Sequence, residues 1–174
     1  MGVRRQARQA ALQALYMCDF LGRWEAEDVA FCFDHFVIPA AARGYAVKLC
    51  EGVFSNLPRI DSLLTRASEN WSLSRMGRVD RAILRLATFE IAFSSEVPAN
   101  VAINEAIEIA KFFGADESPV FVNGVLDKVA QIQRGKLKVE VVLEPERKEP
   151  EHVVFAEEEA EELPVSVPLT GTRD

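Results

Sequence analysis

The side chains that could do catalytic or metal chemistry are few in this chain and poorly spaced. Glu105 and Glu108 could share a helix face, but a metal site in a helical bundle needs a Glu-x-x-His pattern, and no histidine follows them. Asp80 and Glu90 are ten residues apart, about 15 Å along a helix, which is too far for an acid–base pair. No GxGxxG, GxxxxGK[ST], HExxH or GxSxG motif occurs. We therefore expect no enzyme, no metal and no cofactor.

The thiols and imidazoles lead to the same expectation. Cys18, Cys32 and Cys50 are odd in number, widely spaced and form no CxxC pair, which is typical of apolar filling rather than of a zinc or disulfide framework. His35 and His152 are too far apart for a metal pair. With no apolar run long enough for a membrane helix, and no apolar region behind the first arginines, we expect a soluble cytoplasmic protein without membrane contact.

Phosphate binding is the chemistry that the N-terminal segment favours. Arg4, Arg5 and Arg8 precede the first acid, Asp19, although the whole chain carries a net charge of −7. Arg4 and Arg8 are like charges four residues apart, an arrangement that costs a helix a few tenths of a kcal/mol and hints at an anionic partner. A helix N-terminus adds its own positive dipole. The alternative is that these arginines are simply solvated.

Two aromatic side chains could stack on RNA bases. Tyr16 would lie only about 20° around the helix from Arg5. Phe121 would lie one turn into a helix that begins near Ser118, where backbone N–H groups are free. Stacking on single-stranded RNA contributes about 1–3 kcal/mol per base. Core packing is the alternative for both rings.

Helical periodicity predicts an all-α fold of about six or seven short helices. Asn56-Leu57-Pro58 predicts a break between the third and fourth helices. Ser118-Pro119 predicts an N-cap and first turn, and Gly124 indicates a close backbone approach inside the last helix. The predicted helices cover residues 4–21, 28–36, 40–54, 59–70, 79–93, 102–113 and 119–134.

Composition changes after Gly135. Residues 136–174 hold 11 Asp and Glu against 5 Lys and Arg, together with four of the chain's eight prolines. The preceding residues are close to neutral, so the acidity belongs to the tail. We expect a helical domain at residues 1–135 and an acidic, disordered tail at 136–174.

Four stretches together resemble the NusB family of bacterial transcription antitermination factors. The resemblance spans residues 4–130, and its last two stretches are long, ordered and correctly spaced. The stretches are RRQARQAALQALY (residues 4–16), VDRAILRLATFEI (79–91), VPANVAINEAIEIAKFFGADES (97–118) and FVNGVLDKVA (121–130).

The resemblance implies two packed helical subdomains and a role without catalysis. It implies binding to the single-stranded boxA element of ribosomal-operon RNA together with NusE, a small-subunit ribosomal protein, within the RNA polymerase antitermination complex. By position, Arg4, Arg5 and Arg8 match the arginine-rich arm that contacts RNA, and Tyr16 closes that motif. Ser118 and Phe121 fall where the family also meets RNA. Asp80 falls where the family helix faces NusE, although a carboxylate that favours the helix dipole explains it equally well.

The chain also departs from the family pattern. Gln6 stands where a denser basic cluster is expected, and the acidic tail extends beyond the compact core. Two alternatives stay open: a helical adaptor that binds only protein, and a stand-alone relative of the RNA-binding domain of ribosomal RNA cytosine methyltransferases. The resemblance allows either a monomer or a homodimer.

Overall fold

The computed structural model describes residues 2–24, 26–68 and 71–135. These residues form six α-helices and one 3-10 turn, and no strand occurs among them. The expectations for residues 136–174, including the acidic tail and the domain boundary, lie outside the described residues. The elements are α1 (Val3–Leu21), α2 (Ala26–His35), α3 (Ala40–Ala67), a 3-10 turn (Leu73–Arg75), α4 (Arg78–Ala92), α5 (Ala99–Phe113) and α6 (Ser118–Gln133).

Local sequence explains where α1 ends. Gly22 has a φ of 67°, in the left-handed region that glycine adopts without a steric penalty. Its N–H bonds the carbonyl of Cys18 and so satisfies one of the helix's last acceptors. Ala7, Ala11, Leu15 and Cys18 recur at helical spacing and are fully buried, so one face of α1 packs into the core.

Helix α3 differs from the prediction, because it is one continuous helix of 28 residues that contains Pro58. The predicted break there is wrong. Proline removes one backbone hydrogen bond and costs a helix interior about 3 kcal/mol. Burial of a large apolar side chain contributes about 1.5–3 kcal/mol, and Leu49, Val53, Ile60 and Leu64 form one continuous stripe that is at most 1% exposed. Packing on both sides of Pro58 outweighs the local cost.

Helix α4 is the centre of the fold. It packs against α1, α3, α5 and α6, and every residue from Ala82 to Glu90 is buried. Helices α1, α2 and α3 pack together, α5 packs on α6, and both groups contact α4, while α3 also contacts α6. The expected all-helical fold is confirmed. None of the helices in the described part of the chain is long and apolar enough to cross a bilayer.

Candidate nucleic-acid interface

The three N-terminal arginines have different environments. Arg8 is only 3% exposed, and its Nε and Nη2 donate to the Glu90 carboxylate at 2.9 Å each. The Tyr45 hydroxyl donates to the same carboxylate at 2.6 Å, and burial together with this bond raises the pKa of Tyr45 well above its ordinary value. Arg8 therefore differs from the expected phosphate contact, because its guanidinium is enclosed and already paired.

Arg5 and Arg4 lie progressively further out. Arg5 donates two hydrogen bonds to Glu105, at 2.7 and 2.9 Å, and these bonds lower the pKa of that carboxyl although its burial opposes them. Arg4 is exposed, and its guanidinium lies 5.7 Å from the centre of the Tyr45 ring. Of the three, Arg4 has no carboxylate partner among the described residues. Of the expected basic cluster, Arg4 and Arg5 therefore reach the solvent: Arg4 has no carboxylate partner among the described residues, and Arg5 is paired with Glu105.

Tyr16 lies further along α1, beside a surface cavity. Its side chain is 37% exposed and its ring stacks on Phe20, with centroids 6.5 Å apart. The cavity, of about 350 Å³, lies between Tyr16, Phe113 and Ser118. Tyr16 and the start of α6 therefore border one surface.

Ser118 is buried rather than exposed, with 2% of its surface accessible. It is not the N-cap that the sequence predicted: Glu117 holds that place, and the Ser118 hydroxyl accepts the backbone N–H of Ala115 at 2.9 Å. Gly114 makes this packing possible, because a Cβ there would lie 2.5 Å from the Ser118 Cβ. Ser118 thus fixes the α5–α6 connection, and its hydroxyl lies at the cavity wall.

Phe121 lies beside an aromatic residue that the sequence analysis did not select. Its ring meets that of Trp71 edge-on, with centroids 6.2 Å apart. Trp71 is 51% exposed, and the Arg75 guanidinium lies 5.7 Å from its ring centre. Trp71, Arg75, Ser118 and Phe121 border a second cavity of about 360 Å³. We call Tyr16, Trp71, Phe113 and Phe121 the aromatic face.

Asp80 joins the two cavities, since it lines both. Its Oδ1 is buried and has no hydrogen-bond partner among the described residues. A buried carboxylate oxygen without a donor is costly.

Arg75 and Arg78 supply positive charge beside the aromatic face, and both are exposed. Arg78 lies over the Phe20 ring at 5.3 Å, with its Nε 3.8 Å from Asp19. Sequence reasoning missed both arginines and Trp71. The available signal was an aromatic and two basic residues between two predicted helices, in WSLSRMGR (residues 71–78).

Two neighbouring arginines of α4 form ion pairs with carboxylates of α1 and α3. Arg81 and Arg85 both donate to Asp19, at 2.5 and 2.8 Å, and Arg85 also binds Asp61 at 2.8 Å. Burial raises the pKa of Asp19, but the bonds from Arg81 and Arg85 outweigh it and hold that pKa below its ordinary value. The described residues contain no group of three or more side chains arranged to hold a metal ion.

A family model for the NusB family matches residues 5–131. The chain belongs to the NusB family. The transcription antitermination protein NusB of Geobacter sulfurreducens is 47% identical over 131 residues, covering 75% of this chain and 95% of that protein. That of Desulfotalea psychrophila is 48% identical over 136 residues, covering 74% and 96%. The expected family membership is confirmed.

Solved NusB structures share the fold. The NusB of T. maritima is 39% identical with a TM-score of 0.65, covering 74% of this chain and 90% of that chain. A structure of antitermination factors NusB and NusE in complex with double-stranded RNA is 26% identical with a TM-score of 0.67, covering 76% and 98%. The NusB match begins at Arg5 and includes α2 to α6 and the aromatic face.

Proposed function

We propose that this NusB-family protein binds a single-stranded, boxA-type element of ribosomal RNA operon transcripts together with a NusE-type small-subunit ribosomal protein. Its role is to support ribosomal RNA transcription within the cytoplasmic antitermination complex of RNA polymerase, by binding and without catalysis. The observation that carries the proposal is the aromatic face, where exposed Trp71 and Tyr16 flank cavities bordered by Arg75 and Arg78.

The aromatic face suits unpaired bases. Single-stranded RNA exposes flat bases that stack on aromatic rings and on guanidinium planes. Trp71 offers a ring that is half exposed and lies beside the Arg75 guanidinium. A base at Trp71 would therefore have both a stacking surface and a nearby cation. Phe121, only partly exposed, supports Trp71 from the side and borders the same cavity.

The N-terminal arginines extend this surface along α1. Arg4 and Arg5 are about 16–18 Å from Tyr16 along the helix, and we propose that they contact RNA phosphates. Arg5 would exchange part of its bond to Glu105 for phosphate. Arg8 acts indirectly, because its pair with Glu90 anchors α1 to α4 and so positions the residues on either side of it.

Asp80 is the proposed contact with the NusE-type protein. Its carboxylate borders both cavities and would accept a hydrogen bond from a lysine, an arginine or a backbone amide of that partner. Exposed apolar side chains at Phe112 and Val120, 74% and 79% exposed, offer additional area near the α5–α6 connection. A solved NusB and NusE complex with RNA supports a joint surface of this kind.

The proposal is tested by fluorescence anisotropy of a labelled boxA-type RNA, with and without the NusE-type protein. A scrambled strand and an RNA duplex serve as competitors. Trp71→Ala should weaken binding of the single strand about 5- to 150-fold, which corresponds to about 1–3 kcal/mol of stacking. Phe31→Ala is the matched control, because Phe31 is also an exposed aromatic, at 63%, but lies on α2.

The outcomes separate the candidate functions. Tighter binding in the presence of the partner, with preference for the boxA-type strand, supports the proposal. Partner binding without any RNA binding would instead identify a protein-only adaptor. Preference for the duplex over the single strand would overturn the proposed substrate.

A further inference from the structure

A second basic surface lies away from the aromatic face, between α3 and the ends of α4 and α6. We call it the α3–α6 groove. It has a volume of about 400 Å³ and is bordered by Arg59, Ser62 and Arg66 of α3, Phe93 after α4, and Gln133 at the end of α6. None of the described residues that line it is acidic.

Arg59 is exposed and Arg66 is half-buried, and among the described residues neither has the carboxylate partner that the buried Arg8 and Arg85 have. Arg8 and Arg85 are each held by carboxylates. In the described part of the chain, neither Arg59 nor Arg66 forms an ion pair, and the Nε of Arg66 is buried without a hydrogen-bond partner. A donor left unsatisfied in this way costs about 1–3 kcal/mol, and a charged donor costs more. An anion entering the groove would satisfy it.

A contact with an aromatic ring positions one of the two arginines of the α3–α6 groove. The Arg59 guanidinium lies 4.7 Å from the centre of the Phe93 ring, a distance typical of a cation–π contact. Among the described residues no carboxylate pairs with Arg59, so its N–H groups have capacity for an added acceptor. Ser62 and Gln133 add neutral donors at the rim. Two guanidiniums without carboxylate partners form a binding site for phosphate oxygens, to which arginine donates two parallel hydrogen bonds.

We propose that the α3–α6 groove binds backbone phosphates of the RNA strand that flanks the bases held at the aromatic face. This inference rests on the proposed function and extends the RNA path beyond it. Arg66 of the groove and Trp71 of the aromatic face are five residues apart in the chain. A fully extended chain of that length spans at most about 18 Å, so the two sites lie within that distance of each other. A few nucleotides would connect them.

RNA fits the groove better than an apolar protein segment does. Its apolar lining consists of Pro58, Leu63, Ala92 and Phe93, and the large apolar side chains that are strongly exposed elsewhere, such as Trp71, Phe112 and Val120, do not line it. Protein interfaces depend on buried aromatic or aliphatic anchors, whereas backbone phosphate contacts need cations and little apolar area.

The test uses the full chain and three labelled RNAs: a boxA-type strand, the same strand extended by uridines at its 5′ end, and the same strand extended at its 3′ end. We expect an extension to tighten binding to the wild type and to make its dependence of log K on log salt steeper by about 1.4, for two added phosphate contacts. Arg59→Gln/Arg66→Gln should lose this gain and still bind the short strand like the wild type. Arg23→Gln/Arg43→Gln removes the same charge from two arginines that already have carboxylate partners, and should keep the gain.

A direct probe is the Nε–H resonance of Arg66 in nitrogen-15 NMR spectra, which the extended RNA should shift and the short strand should not. The proposal is overturned if neither extension tightens binding, or if the double variant retains the gain. It is also overturned if a glutamate-rich peptide shifts the Arg66 resonance and RNA does not, since the groove would then serve a protein partner. If the wild type binds the short strand without any gain from extension, this inference alone fails; if it binds no RNA, the proposed function fails as well.

Discussion

Arg8 of α1 and Glu90 of α4 form an ion pair in which the two side chains are only 4% and 1% exposed. Two arginine nitrogens meet the carboxylate at 2.9 Å, and Tyr45 of α3 donates a third hydrogen bond. Residues 82 positions apart in the chain therefore fix three helices relative to one another. A basic residue that resembles an RNA contact in the sequence is part of the protein's interior framework.

Replacing Glu90 should destabilise the protein strongly. Glu90→Gln leaves the buried Arg8 guanidinium with only the Glu105 carboxylate, 3.5 Å from its Nη1, and loss of one partner of a buried pair costs about 3–5 kcal/mol. Urea unfolding followed by circular dichroism measures this free energy. A change below about 1 kcal/mol would show that water reaches the pair.

A matched carboxylate change tests the specificity of that effect. Glu108 accepts no comparable buried contact: Lys111 donates to it at 2.6 Å on the surface of α5. Glu108→Gln should leave the unfolding midpoint essentially unchanged, because exposed ion pairs are screened by solvent.

Arg75 should contribute charge rather than base stacking. It is exposed and has no carboxylate partner among the described residues. If Arg75 contacts one RNA phosphate, that contact releases condensed counterions and adds one contact's contribution to the salt dependence of binding. Arg75→Gln should make the slope of log K against log salt less negative by about 0.7. Arg43→Gln, where the arginine already pairs with Asp34 at 2.5 Å, is the control. An unchanged slope in Arg75→Gln would remove Arg75 from the RNA surface.

Two glycines should respond oppositely to alanine. At Gly114 a Cβ would meet Ser118 at 2.5 Å and the Ala110 carbonyl at 2.8 Å, so Gly114→Ala should distort the α5–α6 connection and weaken both stability and RNA binding. Gly124 has open space around it, so the sequence-based expectation of a close backbone approach is wrong. Gly124→Ala should stabilise α6 by up to about 1 kcal/mol. Thermal unfolding of both variants checks the signs.

Acid should remove the contribution of Asp19. Because its folded-state pKa lies below the ordinary value of 3.8, its ionised form stabilises the fold above that pH, and the contribution is lost as pH falls through the lowered pKa. Asp19→Asn should therefore be less stable than the wild type at neutral pH, and the difference should shrink below about pH 4. Urea unfolding at several pH values measures the difference. A constant difference at all pH values would contradict the assignment.

The contrast between Arg4 and Arg8 shows what the local sequence pattern does not predict. Both sit in the same basic segment at helical spacing, and local pattern gives no sign that one is exposed and the other buried. The difference comes from Glu90 and Glu105, which reach α1 from helices distant in the chain. Trp71 was missed for the same reason, since only the packing of α6 places Phe121 against it.

The sequence by itself determined the helical periodicity, the family and the approximate position of most helices, because these depend on local apolar spacing and on ordered motifs. The tertiary structure decided that α3 continues through Pro58, that Ser118 is buried, and that Arg8 is an internal anchor. It also brought Tyr16, Asp80, Trp71 and Phe121 to neighbouring cavities. Burial, ion pairing and cavity formation depend on contacts between residues far apart in the chain, and local spacing does not encode those contacts.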